Sequence, residues 1–156
     1  MTISKFELYH GVVLSQIIRS PRINIKLLEK SDDFEWSAYE ITDNQSTHKV
    51  FVKSTSNVRI GKKEVHYSSF TFSESDISKL REIETEKNLL ICLVCADNEV
   101  CTLEWEDIDN TRLLFEKKST SVIVSWNNNT RLHVKCRGKI LEYTIPRNRL
   151  KTFNWS

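Results

Sequence analysis

Glycine and proline are scarce in this chain of 156 residues, which has three of the first and two of the second. That scarcity leaves little room for a long flexible linker, and no Gly-rich phosphate loop or G-x-S-x-G elbow occurs. His10, His48, His66 and His133 lack the HExxH spacing of a helical zinc site. Long apolar runs are missing too. Met1-Thr2-Ile3-Ser4-Lys5 leads straight into a mixed amphipathic segment, so neither a secretory signal nor a membrane-spanning helix is expected. What is present, 39% apolar and 28% charged residues, is the balance of a folded globular protein able to bury its own core.

The four cysteines require a choice. Cys92-Leu93-Val94-Cys95 has the spelling of a redox or zinc motif, but it lies in the apolar run from Leu89 to Ala96. In a strand, residues three apart point to opposite faces, so the pair cannot share one metal. The expectation is buried free thiols acting as small hydrophobes. Reduced thiols without a signal point to the cytoplasm.

Periodicity supplies the elements. Ser4 and Glu7 have the capping-box spacing, and Phe6, Tyr9, Val13 and Ile17 give a helical apolar face that ends before Ser20-Pro21. Ile23, Ile25 and Leu27 alternate as a strand. Two further strands surround the polar turn from Asp43 to Thr47, and after a basic turn (Arg59, Lys62, Lys63) comes another near Val65 to Phe72. Ser73 to Asp76 opens a second helix with Asn88 as its stop. Leu89 to Ala96 reads as a strand covered on both faces, and Val100 to Trp105 as its neighbour. Val122 to Trp126, Leu132 to Cys136 and Ile140 to Ile145, separated by turns at Asn127 to Thr130 and Arg137-Gly138, read as a β-meander too short to fold alone. Trp155 is the tryptophan expected at the surface. The fold class is α+β: a mixed sheet with two flanking helices over residues 1–110, and a C-terminal antiparallel meander over 111–156, packed on the core or a partner.

Charge is unevenly spread although the net charge is only +2. Asp97 to Asp109 holds six acids and no base, whereas Arg131 to Lys151 holds seven Lys or Arg and the single acid Glu142. Arg131, His133, Lys135 and Arg137 share one strand parity, opposite Leu132, Val134 and Cys136. A basic face of this kind suits phosphate, which makes Arg131, Lys135 and Arg137 candidate nucleic-acid contacts.

One stretch resembles a known chemistry. An acid, Asp33, precedes the strand Phe34 to Thr42, and the next strand, His48 to Lys53, ends in a lysine. With Phe51-Val52-Lys53-Ser54-Thr55, Phe70-Thr71-Phe72, the helix from Ser75 and the strand Leu90 to Cys95, the segment from about Ser4 to Ile108 resembles the PD-(D/E)XK nuclease-like superfamily. It looks closest to uncharacterised bacterial domains of that fold. The resemblance implies a restriction-endonuclease-like core in which Asp33 would bind Mg²⁺, Lys53 would orient or activate water, and Glu7 would be an accessory acid. It also implies a second metal-binding acid two residues before the lysine. Phe51 stands there and cannot ligate a metal.

The expected function is therefore a nucleic-acid-linked protein of bacterial or phage origin whose nuclease-like site has degenerated. The alternatives are an active Mg²⁺-dependent nuclease with a migrated carboxylate, for which Glu35 and Glu40 are the nearby acids, and a protein-interaction module acting through the meander.

Overall fold

Apart from the largely exposed edge strand Ile23–Lys30, strands covered on both faces and strands covered on one face sort into two separate sheets in the computed structural model, which describes residues 5–18, 22–32, 35–43, 46–55, 58–95, 99–127, 131–137 and 139–155, with side chains in the first helix from residue 8 onward. Ser4, Asp33 and the turn residues at 44–45, 128–130 and 138 lie outside this set, as does the side chain of Glu7.

The first sheet has the order β1-β2-β3-β6-β7, built from Ile23–Lys30, Trp36–Asp43, Ser46–Ser54, Leu89–Val94 and Val100–Leu103. It is mixed, since β3 runs parallel to β6 while the other neighbours are antiparallel. A parallel pair needs a crossover connection, and the chain between them includes the helix α2 (Glu74–Ile83). Helix α1 (Lys5–Ile17) covers one face, burying Tyr9, Val13 and Ile17 with Tyr39, Ile41, Val50, Val52 and Leu90. The other face packs on the second sheet and on α2 through Ala38, Phe51, Ile91, Leu93, Ile77 and Leu80. With both faces covered, every residue of β6 is buried, as its unbroken apolar sequence requires.

The second sheet is antiparallel throughout, in the order β10-β9-β8-β5-β4: Lys139–Ile140, His133–Cys136, Thr120–Trp126, His66–Phe72 and Val58–Ile60. Its burial alternates strictly. Ser68, Phe70 and Phe72 of β5, Val122 and Val124 of β8, and Val134 and Cys136 of β9 point inward, and the residues between them are exposed or half-buried. Such a sheet has one packed face and one facing water.

Several sequence expectations need correction. The strand near Val65 to Phe72 leaves the mixed sheet and pairs with β8, because its polar alternate residues do not suit a strand buried on both sides. The third meander strand shrinks to Lys139–Ile140, with Ile145 making a single bridge to Leu132. Helix α2 ends at Ile83, five residues before Asn88. Trp105 opens a further helix, α3 (Trp105–Thr111), where the backbone N–H of Glu104 donates to Asp107 Oδ2 at 2.9 Å. Asp107 and Glu106 occupy its first turn, where the helix dipole favours acids. Trp155 is buried, not exposed, and packs edge-on against His48 and Phe153 beside the short helix α4 (Arg149–Thr152).

Candidate functional site

Lys53 sits at the carboxyl end of β3, beside the carboxyl end of parallel β6, where Ser54 pairs with Val94. Crevices at this end of parallel strands are where open sheets bind ligands. Yet Lys53 is only 3% exposed. Its ammonium lies 3.3 Å from Asp76 Oδ2 and 3.9 Å from Glu35 Oε1, and 5.4 Å from the centre of the Phe72 ring. The lysine is held by its neighbours on three sides and is not a surface residue ending a strand.

Asp76 is a residue the sequence reading did not select. It is the third residue of α2, and the same oxygen that meets Lys53 accepts the Ser73 backbone N–H at 3.0 Å, while Ser73 Oγ accepts from the Asp76 N–H at 3.1 Å. This reciprocal cap ends in Ser73-x-x-Asp76, a spacing visible in the sequence. Its second duty, neutralising a buried lysine, has no local signal. Glu35 reaches Lys53 because it lies in the bend before β2, outside strand register, whereas Glu40 is opposite Lys49 further along the sheet.

Phe51 shares the inward face with Lys53, two residues away. It is fully buried, stacked on Trp36 at 5.4 Å between centroids and tilted against Phe72 at 6.3 Å. Where the resemblance implies a second metal-binding acid, the chain holds part of the core between the sheets. The carboxylates described near Lys53 are both ion-paired to it, and among the described residues no group of three or more His, Cys, Asp or Glu could hold a metal ion. Among the described residues, the side chains beside Lys53 do not form a Mg²⁺ site. Asp33 lies outside the described residues, and Glu7 is placed by its backbone on α1.

The basic tail divides. Arg147 pairs with Glu99 at 3.3 Å, and Arg149 with Glu104 at 3.2 Å and with Asp107. Tyr143 donates to Asp107 Oδ1 at 2.6 Å, and burial together with this bond raises the pKa of its hydroxyl. Part of the charge asymmetry in the sequence is thus an internal pairing of the acidic stretch with the basic one. This network borders a cavity of about 520 Å³ that also touches His48, Trp105 and Phe153. Burial lowers the pKa of His48.

Arg131, Lys135 and Arg137 are all exposed. Arg131 donates to Thr144 Oγ1 at 2.8 Å, and Arg137 pairs with Glu116. Lys135 makes no ion pair among the described residues. Register extends this face beyond the meander: Arg59, Tyr67, Ser125 and His133 form one row across four strands. Ser69, Ile123 and Lys135 form the next.

The thiols behave as strand geometry demands. Cys92 points into the core under α1 and Cys95 into the core between the sheets. Both are free, and burial pushes both from 9.0 up to about 12. No helix among the described residues is long and apolar enough to cross a membrane. In comparison with known proteins, the chain matches no family model, no curated protein and no solved structure.

Proposed function

We propose that this is a cytoplasmic nucleic-acid-linked protein with a catalytically degenerate nuclease-like core. The observation that carries the reading is Phe51, buried in the core on the same strand face as Lys53 at the position where a metal-binding acid would be required. Two-metal or one-metal phosphodiester hydrolysis needs carboxylates to concentrate charge on the metal and the scissile phosphate, and an aromatic ring offers none. The elements of the first sheet support the ancestry: helix, three strands, helix and a fourth strand, once the inserted β4 and β5 of the second sheet are set aside, with α1 and α2 on opposite faces of a mixed sheet. Lys53 remains in this scheme as an ion-paired structural residue.

Nucleic-acid contact then falls to the exposed basic strand, through Arg131, Lys135 and Arg137. Binding of that kind is tolerant of sequence and weakens steeply with salt, because neutralised phosphates release their counterions. The test is fluorescence anisotropy with labelled oligonucleotides at low and physiological salt, paired with a cleavage assay in Mg²⁺ or Mn²⁺. Salt-sensitive binding without cleavage is the expected result. Absence of binding at low salt removes the nucleic-acid reading and leaves a protein-interaction module. Cleavage abolished by Lys53→Met would instead establish a nuclease with a migrated carboxylate, for which Glu35 is the nearest acid outside the α2 cap among the described residues.

A further inference from the structure

We infer that the open face of the second sheet binds single-stranded nucleic acid, with Tyr67 as a stacking platform and Arg59, His133 and Lys135 as its polar flanks. The inference rests on the proposed nucleic-acid reading and gives it a strand state and a new set of residues. Arg59 and Tyr67 come from the β4–β5 hairpin, which is remote in sequence from the basic meander, yet register aligns them with His133 through Ser125. The row from β4 to β9 spans roughly 14 Å at ordinary strand spacing.

Three features select the occupant. Charge comes first: Arg59 and Lys135 lie on this face with no ion pair among the described residues, and its strand positions carry no acid there. An anionic ligand is the complement. The second is an exposed aromatic on an otherwise low surface. Tyr67 is 40% exposed; Ser125 lies opposite it, Ser69 and Ile123 form the next row, and Thr71 and Ser121 the one after, so the face around the ring carries several small hydroxyl side chains able to bond base edges. Bases stack on such rings whatever their sequence, but only when they are not already stacked within a duplex.

The third is how the ring is seated. A methyl group added at Gly61 would lie 2.7 Å from Tyr67 Cε2, so the tyrosine rests against a backbone that only glycine leaves open. Lys63 and Glu64 in the same turn both have left-handed backbone angles, φ 60° and 59°, which non-glycine residues seldom adopt. The same turn carries Lys62 and Lys63, both exposed, beside Glu64 and next to Arg59.

The experiment is anisotropy of the full chain with a fluorescein-labelled oligothymidylate and with a labelled duplex of equal length, in parallel with thermal melts of each variant. The single strand should bind more tightly than the duplex. Tyr67→Ala should weaken single-strand binding by roughly tenfold or more, and Tyr67→Phe should restore most of it, since stacking needs the ring and not the hydroxyl. Gly61→Ala should weaken binding by displacing the ring, without changing the salt slope. Lys135→Ala should lower that slope by about 0.7, one phosphate contact on a single strand. Equal or tighter binding of duplex, or a Tyr67→Ala variant that binds as the parent does, overturns this inference and leaves the broader nucleic-acid reading standing. If neither oligonucleotide binds at low salt, both fall together.

Discussion

The two sheets of this protein use the same inner space and opposite outer rules. The first is covered by α1 outside and by the second sheet inside, so β6 is apolar at every position and even a lysine and a serine at the end of β3 are buried. The second is covered on one side only, and β5, β8 and β9 alternate between core and open residues. The difference teaches where function can reside. Residues of the first sheet that look like chemistry in the sequence are committed to packing and charge pairing, whereas the open face of the second sheet has side chains free to meet a partner.

The sharpest way to break this comparison is to place at position 51 the acid that the proposed nuclease-like ancestry would require. Phe51→Asp would place a carboxylate among Trp36, Phe72 and the inter-sheet core, losing the packing of a buried ring and burying a charge. The expected cost is on the order of 4 kcal/mol or more, read as loss of cooperative folding in a urea titration. A folded Phe51→Asp variant that gained Mg²⁺-dependent cleavage would show the core to be a poised site and not a packed one.

A smaller effect is expected at Asp76. Asp76→Ala removes both the nearest partner of buried Lys53 and one arm of the α2 cap, with an expected loss of about 2–4 kcal/mol. Because part of this cost comes from stranding the lysine, Lys53→Met in the Asp76→Ala background should recover some of it. Strict additivity of the two substitutions in a double-mutant cycle would mean that the pair does not interact.

Alkaline pH probes the first sheet again. Cys92 and Cys95 hold their protons in the folded state up to about 12, against 9.0 for an ordinary thiol. The unfolded chain therefore binds fewer protons than the folded one between those values, and stability is full below about pH 9 and falls as the pH rises toward 12. His48 adds the opposite edge. Its folded pKa is depressed by burial, so stability falls as the pH drops below 6.5. Denaturation midpoints across pH check both signs, and ready alkylation of native Cys92 at neutral pH would contradict its burial.

The smallest stability effects belong to the open face. Lys135→Ala and Tyr67→Ala should each alter stability by no more than about 0.5 kcal/mol, while changing oligonucleotide affinity. A large loss of stability at either position would place it among the packed residues and erase the contrast between the sheets.

How much of this could be read from the chain depends on whether the cause was local. The first helix, the cap of α2, the opposite orientation of Cys92 and Cys95 and the alternation of β9 all rest on spacing, and the structure has them where spacing puts them. Helix α3 is not expected from the sequence because Val100 to Trp105 reads as one strand within the acidic stretch Asp97 to Asp109, although acids in a first helical turn are an available signal. The partnership of β5 with β8 could not be seen, since nothing in either strand names its neighbour across some fifty residues. Likewise Lys53 was legible as a site candidate, but its burial against Asp76 depends on where α2 docks. The tail's basic charge was visible, whereas the use of Arg147 and Arg149 to neutralise Glu99, Glu104 and Asp107 arises only on folding.

The most direct test of the central claim is a single-turnover incubation of excess protein with end-labelled single-stranded and duplex DNA and RNA in Mg²⁺ and in Mn²⁺, with Lys53→Met alongside. The protein should leave every substrate intact, with products matching those of Lys53→Met and of buffer alone. Cleavage by the parent chain that disappears in Lys53→Met would contradict that claim, and would return the buried lysine of the first sheet from structure to catalysis.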